Sequence, residues 1–156
     1  MHAMVYDAPH RHSTYDFAVR AARQAAALLP AHKVTLGVPF YGRHMTTGEW
    51  RTYEDLAKLT EVRRNTSVDE ADGYYFNNRA AMARKGALAR ELGLGGVMIW
   101  EVGQDCRVHP VTHGDTTHGV TCPDGESSAL LTALRKGLPA GSQENDDLAN
   151  RIKVEL

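Results

Sequence analysis

Three short runs of apolar residues stand out along the chain, separated by glycine, proline and polar segments. They cover residues 3–6, residues 34–41 and the stretch "GGVMIWEV" that starts at Gly95. All three are rich in β-branched or aromatic residues, which is typical of strands. Because they are apolar almost throughout and do not alternate with polar residues, we expect both faces of each strand to be buried.

Between these runs, apolar positions recur with the 3.6-residue period of helices. Ser13 or Thr14 is placed to cap a first helix, which Pro30 ends. The longest helix is predicted within "YYFNNRAAMARKGALARELG", where Gly93 is the stop signal. Its Lys and Arg side chains, including those of "KGALAR", are expected to form its solvated face.

Residues 44–73 lose the strand pattern, and we interpret them as a short insertion of loop and helix. Thr52 is placed to cap that helix within "TYEDLAKLTEV". A last helix is predicted at residues 127–138, with Ser127 and Ser128 as caps.

The predicted order is strand, helix, strand, insertion, helix, strand, helix. Strands that are apolar on both faces and alternate with helices favour an α/β fold with a parallel sheet covered by helices. We assign residues 1–140 to this fold and expect the polar residues 141–156 to form a mobile tail.

Each predicted strand ends in an aromatic residue next to a charged or polar one. Tyr6 and Asp7 end the first strand, Tyr41 and Arg43 the second, and Trp100 the third. In parallel α/β folds, ligands bind beyond the carboxyl ends of the strands. Aromatic rings stack on the C–H faces of sugars, while carboxylates and guanidinium groups bind hydroxyls. The three strand ends therefore predict a carbohydrate site.

Composition excludes several classes of function. The chain has 156 residues, enough for one ordinary domain, and 42% of them are apolar. Its formal net charge of -1, with both signs mixed along the chain, argues against nucleic-acid and membrane partners. No apolar run approaches the ~20 residues of a membrane span. The first residues, "MHAMVYDAPHRH", lack the features of a signal peptide.

Two cysteines, Cys106 and Cys122, frame a polar loop rich in His and Thr. A disulfide between them would restrict this loop by ~3 kcal/mol in the chain-entropy model and would require an oxidising compartment. The alternative is a pair of unrelated thiols. The glycosylation sequon at Asn65 and the C-terminal "KVEL", which is similar to an ER-retention signal, also fit a secreted or secretory-pathway location.

The same loop carries His109, His113, His118 and Asp115. Their spacing matches no standard zinc pattern, so we interpret them as a polar surface loop. We expect no metal and no cofactor.

Three motifs carry a resemblance to a known family. In order, "MVYD", "LGVPFYGR" and "GGVMIWEVGQD" resemble the last three barrel strands of glycoside hydrolase family 18, the chitinases and chitinase-like proteins. The resemblance runs from Met4 to about Leu138, and "YYFNNRAAMARKGALARELGLGG" is similar to the family's helix between strands seven and eight. It implies a partial (β/α)8 TIM barrel that contains strands six to eight, and chitin or chitooligosaccharide as the ligand.

The resemblance also implies a role for each strand-end residue. Tyr6 would donate a hydrogen bond to the substrate N-acetyl group, whose own carbonyl attacks the anomeric carbon in this family. Asp7 would accept from the sugar or from a neighbouring basic side chain. Tyr41 and Arg43 would line the groove, and Trp100 would form the floor beneath the sugar next to the scissile bond.

The family's general acid is missing from this sequence. It ends an Asp-x-x-Asp-x-Asp-x-Glu stretch on the fourth strand, and no such stretch occurs here. Glu101 does not replace it, because strand alternation is expected to turn Glu101 away from Trp100 into a structural role. The resemblance therefore implies the C-terminal part of a barrel, as a truncated gene product, a fragment or a degenerate relic whose N-terminal half is missing.

Three functions follow from this resemblance. The first is a part of a secreted chitinase that hydrolyses β-1,4-linked N-acetylglucosamine polymers by substrate-assisted retention, with this chain inactive by itself. The second is a non-catalytic, lectin-like protein that binds chitin or chitooligosaccharides. The third is a structural or protein-interaction remnant.

Overall fold

The structure is a computed structural model that describes residues 1–110, 118–123 and 128–138. Strands and helices alternate along the chain as the sequence predicts, with additional short strands in its middle. In chain order the elements are β1 (His2–Met4), α1 (Tyr15–Leu28), β2 (Thr35–Pro39), β3 (Tyr41–His44), β4 (Trp50–Thr52), α2 (Tyr53–Ala57), α3 (Thr60–Arg64), β5 (Glu70–Ala71), β6 (Tyr74–Tyr75), α4 (Arg79–Glu91), β7 (Gly96–Trp100), β8 (Arg107–Pro110), β9 (His118–Thr121) and α5 (Ala129–Gly137).

The three predicted strands form one parallel sheet in the order β1-β2-β7. This confirms the α/β class and the parallel arrangement. The second strand is shorter than predicted, because it ends at Pro39 and Tyr41 already belongs to the next strand, β3. The next residue, Phe40, donates its amide hydrogen to the Trp100 carbonyl and accepts one from Tyr53, so the chain passes here into a second sheet. The Trp100–Glu101 peptide bond is cis.

Sequence signals for helix ends are confirmed on α1 and α4. The Thr14 hydroxyl accepts a hydrogen bond from the Phe17 amide at 3.2 Å and caps α1. Helix α4 stops just before Gly93, whose φ of 61° suits glycine. The amide of Gly93 bonds to the Arg90 carbonyl and that of the next residue, Leu94, to the Ala89 carbonyl, which is the Schellman arrangement.

The middle of the chain holds a second sheet that the sequence pattern does not predict. Its strands are antiparallel and lie in the order β4-β3-β6-β5. They are two to four residues long, which is too short for a visible alternation of apolar and polar residues. The absence of strands from residues 44–73 is therefore a wrong prediction. The short helix capped by Thr52 is confirmed as α2, and a separate helix, α3, follows it.

Two contacts hold the helices in place, one between helices and sheets and one between two helices. The main core joins side chains from both sheets to those of α1, α4 and α5, and its largest fully buried apolar members are Phe40, Phe76, Leu36, Leu56, Met82, Leu130 and Leu134. Helices α4 and α5 approach closely where Gly86 meets Gly137. A Cβ atom on Gly137 would lie 2.1 Å from the Ala83 carbonyl oxygen, so this contact requires glycine.

The cysteine loop and the last helix differ in part from prediction. Cys106 and Cys122 form a disulfide with their Cα atoms 4.3 Å apart, which confirms the pairing. The Ser128 side chain does not cap α5, because its hydroxyl donates to the Asp105 carboxylate instead. That carboxylate accepts from the Leu130 amide at 2.8 Å and is the actual cap. Ser127, most of the His-rich loop and residues 141–156 lie outside the described residues.

One basic residue of α4 contradicts the predicted solvated face. The side chain of Lys85 is fully buried, although it lies between the exposed Arg84 and the small Gly86 in sequence. In the part of the chain that the structure describes, no helix is long and apolar enough to cross a membrane. The same residues contain no group of three or more His, Cys, Asp or Glu side chains arranged to hold a metal ion.

Candidate functional site

An open groove of about 440 Å³ lies at the carboxyl ends of β1 and β7 and along the β3–β4 hairpin. Both sheets contribute to its walls. Its lining residues are Asp7, Tyr41, Arg43, Gly48, Trp50, Trp100, Glu101 and Gln104. Four of the five site residues that the sequence predicts are thus brought together in one groove, and Tyr6 lies beside it.

Asp7 is the centre of the polar contacts in this groove. Its Oδ1 atom accepts from the Tyr41 hydroxyl at 2.7 Å and lies 3.0 Å from Nη1 of Arg43. Asp7 has a φ of 64°, in the left-handed region that few residues other than glycine adopt. The expectation that Asp7 pairs with a neighbouring basic side chain is met by Arg43.

Arg43 joins Asp7 to the β3–β4 hairpin. Its Nε and Nη2 atoms donate to the Gly48 carbonyl at 3.1 and 2.9 Å, while Nη1 faces Asp7. Gly48 has a φ of 76° and closes the hairpin turn by donating its amide hydrogen to the His44 carbonyl. One guanidinium therefore ties the end of the parallel sheet to the antiparallel sheet.

Two exposed indole side chains line the groove from different sheets. Trp100 is 53% exposed at the end of β7, and Trp50 is 63% exposed on β4, opposite Arg43 in the strand register. These are the two tryptophans of the chain. The sequence interpretation missed Trp50. The available signal was a tryptophan within the polar segment "TTGEWRT", where no neighbouring apolar residue suggests a place in the core.

Tyr6 lies behind Tyr41 and makes a contact that was not predicted. Its hydroxyl donates to the Met4 sulfur at 2.7 Å, and its ring meets that of Tyr41 edge to face at 6.2 Å. Burial, and then the charge of Asp7, raise the pKa of Tyr6. The hydroxyl therefore stays protonated at neutral pH and remains a donor, and its contact with an N-acetyl group remains a prediction.

Glu101 and Gln104 also line the groove, contrary to the structural role predicted for Glu101. Alternation applies only within a strand, and β7 ends at Trp100. A 3-10 turn follows at Val102–Gln104, which places Gln104 on the same side as Glu101. The groove thus contains two carboxyl side chains, of which Asp7 is ion-paired.

Two aromatic side chains next to the Asp7 carboxylate, those of Tyr41 and His12, are uncharged at neutral pH. Burial, reinforced by the hydrogen bond to Asp7, raises the pKa of Tyr41, so Tyr41 remains a donor at neutral pH. His12 is fully buried with its ring 5.2 Å from that of Tyr41, and burial lowers its pKa to about 4. The groove therefore presents a phenol hydroxyl that stays protonated at neutral pH, two carboxyl side chains and two indole side chains.

Asn65, the predicted glycosylation site, lies away from this groove. It is exposed at the carboxyl end of α3, and its side-chain oxygen accepts from the Ser67 amide at 3.0 Å. An exposed loop position is what attachment of a glycan requires.

Known proteins share both the sequence pattern and the fold. A family model described as "Glycosyl hydrolases family 18" matches residues 1–105. The GH18 chitinase ChiB of Flavobacterium johnsoniae is 25% identical, and the match covers 87% of this chain and 41% of that one with a TM-score of 0.64. A chitinase of Bacteroides thetaiotaomicron is also 25% identical, with 65% and 38% covered and a TM-score of 0.58.

The fold alone extends the likeness to a more distant protein. A chitinase of Chromobacterium violaceum is 20% identical, with 89% of this chain and 45% of that one covered and a TM-score of 0.60. The chain spans about two fifths of the length of these solved structures.

Proposed function

Because this chain belongs to glycosyl hydrolase family 18, we propose that it forms strands six to eight of the (β/α)8 barrel of a chitinase-like protein. Its ligand would be a β-1,4-linked N-acetylglucosamine polymer or oligosaccharide. The parallel order β1-β2-β7 and the likeness to the chitinase of Flavobacterium johnsoniae support this assignment. The other strands, with the missing general acid, would come from the N-terminal half of the barrel.

The observation that carries the proposal is the pairing of two indole faces with the Asp7 hydrogen-bond centre in one groove. Pyranose rings present apolar C–H faces and a rim of hydroxyls, so they require flat aromatic surfaces and fixed polar groups together. Trp100 and Trp50 supply the first, and Asp7 with its two partners supplies the second.

The residues of the groove are suited to binding and orienting a sugar. Trp100 would form the floor, and Arg43 and Tyr41 would hold Asp7 so that its remaining lone pairs accept sugar hydroxyls. Tyr6 would exchange its contact with Met4 for the N-acetyl oxygen. That oxygen would then attack the anomeric carbon, as the family chemistry implies.

We also propose that this chain alone does not hydrolyse chitin. The sequence contains no Asp-x-x-Asp-x-Asp-x-Glu stretch. General acid–base catalysis contributes ~10²–10⁴-fold to such reactions. The purified 156-residue chain should release no fluorophore from a fluorogenic chitobioside above the rate of a buffer blank. A turnover that Trp100→Ala abolishes would contradict this part of the proposal.

Binding is measured separately from hydrolysis. Because both tryptophans line the groove, intrinsic fluorescence reports on ligand there and on little else. Chitotetraose should change the emission of the wild-type chain. Trp100→Ala should lose most of the affinity, measured by isothermal titration because this substitution removes one of the two fluorophores. Leu28→Ala is the matched control, since Leu28 is an exposed apolar residue on α1 outside the groove lining. Equal effects of the two substitutions would contradict the site.

A lectin-like binding protein is the second candidate function. It is favoured by the same pair of facts, a groove with sugar-binding features in a sequence without the acid motif. Reading the gene upstream of Met1 separates the two candidates. An in-frame Asp-x-x-Asp-x-Asp-x-Glu indicates a hydrolase, and a substituted final Glu indicates a lectin.

Secretion is a further part of the proposal. The Cys106–Cys122 disulfide supports an oxidising compartment, and the exposed Asn65 fits a glycosylated surface. Expression in a eukaryotic secretory host should give a product whose mobility increases after treatment with an N-glycosidase. Asn65→Gln should remove that shift.

A further inference from the structure

A buried lysine connects helix α4 to the loop that carries Asp7. The side chain of Lys85 is 0% exposed, and its Nζ donates to the carbonyl oxygen of Ser13 at 2.8 Å and to its hydroxyl at 2.7 Å. Both acceptors are neutral oxygens. Lys85 and Ser13 are 72 positions apart in sequence, so these bonds attach the loop after β1 to a helix that is distant in sequence.

The contacts continue from Ser13 to the groove. The Ser13 hydroxyl donates to the Val5 carbonyl at 2.5 Å, which closes the segment from Val5 to Ser13 into a loop. Within the loop, the Ala8 amide donates to the His12 carbonyl at 3.1 Å, and the Asp7 amide points at Nδ1 of the same residue at 3.5 Å. Asp7, immediately before Ala8, has the left-handed backbone already described, and such a conformation persists only where surrounding contacts hold it.

A catalytic role for this pair is excluded by its geometry. Lysine can act as the base for a serine nucleophile in some hydrolases. Here both side chains are fully buried and have no access to a substrate. The hydrogen of the Ser13 hydroxyl is also engaged with the Val5 carbonyl, so the oxygen is not free to attack.

Packing alone does not explain a lysine at this position. Burying an ammonium group is unfavourable, and a methionine of similar length would fill the same space without that cost. Burial lowers the pKa of Lys85 to about 7. His12 also feels the charge of Lys85, and burial keeps it uncharged at neutral pH.

We propose that Lys85 is a positioning residue of the groove, whose hydrogen bonds to Ser13 hold the loop of residues 5–13 so that Asp7 meets Tyr41 and Arg43. The consequence for sugar binding rests on the proposed function. The consequence for the loop itself does not, and it is measurable without a ligand.

Hydrogen exchange tests the loop directly. In Lys85→Met, the Ala8 amide should exchange about 10- to 100-fold faster, the range expected for loss of a hydrogen bond to a charged donor. The Phe40 amide, which bonds to Trp100 in the sheet, should keep its wild-type rate. Lys136→Met, at an exposed position of α5, is the control and should change neither amide. Equal acceleration of Ala8 and Phe40 would show general destabilisation and overturn the proposal, as would an unchanged Ala8.

A second variant tests the path through Ser13. Ser13→Ala should accelerate exchange at Ala8, and the double variant Lys85→Met/Ser13→Ala should exchange more slowly than the product of the two single effects predicts, because residues in one network are not additive. Full additivity would contradict the path.

Chitotetraose separates this proposal from the proposed function. If the exchange result holds and wild type binds no chitotetraose, the positioning role stands and the sugar site fails. If wild type binds and Lys85→Met binds equally well with unchanged exchange at Ala8, the positioning role fails.

Discussion

The two sheets that meet at the groove differ in how completely they are buried. In the parallel sheet, β1 and β7 each pair with β2 alone within the described residues, and the inner residues of β7 are only partly buried. In the antiparallel sheet both residues of β6 are buried. The edge strand β7 of the parallel sheet thus retains surface for the further barrel strands that we propose, whereas the inner strand β6 of the antiparallel sheet is covered by this chain itself.

The groove depends on both sheets, because neither supplies a complete site. The parallel sheet ends in Asp7 and Trp100, and the antiparallel sheet brings Tyr41, Arg43 and Trp50. Substitutions can therefore measure the contribution of each part to binding and stability: the Arg43 link between the sheets, the loop that carries Asp7, and the apolar wall at Trp50.

The largest effect is expected at the link itself. Arg43→Met removes the donors to Asp7 and to the Gly48 carbonyl, so the hairpin and Asp7 lose their common partner. We expect chitotetraose affinity, measured by tryptophan fluorescence, to fall about 100-fold. Arg43→Lys should recover only part of it, because lysine keeps the charge but not the planar fork. Arg90→Met, on the exposed face of α4, is the control; a comparable loss there would contradict a specific link.

The next effect concerns stability and its pH dependence. Burial lowers the pKa of Lys85 from 10.5 to about 7 in the folded chain. Between these two pH values the unfolded chain therefore binds more protons than the folded chain. The free energy of unfolding should therefore rise with pH from about 7 to 10, with a slope of up to ~1.4 kcal/mol per pH unit. Above pH 10 the raised pKa values of Tyr41 and Tyr75 act in the opposite direction.

Denaturant unfolding at several pH values measures this slope. Lys85→Met should flatten the curve between pH 7 and 10. The fall in stability on acidification caused by His12, whose pKa is about 4, should remain. A slope that survives unchanged in Lys85→Met would mean that another group is responsible.

The smallest effect is expected from the apolar wall on the antiparallel sheet. Trp50→Ala should weaken chitotetraose binding by about tenfold, the loss of one aromatic face. Its backbone pairing with Arg43 does not depend on the side chain, so the Asp7 contacts should persist. Isothermal titration is the suitable measurement here, since one of the two fluorophores is removed. No loss of affinity would exclude the Trp50 indole from the sugar site.

The two sheets also differ in how far they could be predicted from sequence. The parallel strands were predictable because each leaves a visible apolar run and their ends carry Tyr6, Asp7 and Trp100 in recognisable motifs. The expectation that both faces of each strand are buried is wrong for β1 and β7, which lie at the edges of the sheet and are partly exposed, and holds only for the central strand β2. The strands around Trp50 are too short to produce a periodic signal. The strand register and turn geometry that bring Trp50 opposite Arg43 depend on tertiary contacts, which the local sequence pattern does not show.

Two single residues show another limit of sequence patterns. The sequence predicts a solvated position for Lys85, because a charged residue counts as polar in a helical pattern. Its burial depends instead on Ser13, which is far away in sequence. The sequence predicts the adjacent serines as the caps of α5. In the structure the carboxylate of Asp105, on the other side of the cysteine loop, accepts from the amides of Leu130 and Leu131 instead. Burial against distant partners is not encoded in local spacing.

The most direct test of the central claim compares two tetrasaccharides on the wild-type chain. Chitotetraose and cellotetraose share the β-1,4 backbone and differ in their N-acetyl groups, while both tryptophans of the chain report from the groove. We expect a saturable change in tryptophan emission with chitotetraose and a much weaker one with cellotetraose. Absence of any change with chitotetraose, or an equal change with both sugars, would contradict a groove built for N-acetylglucosamine chains.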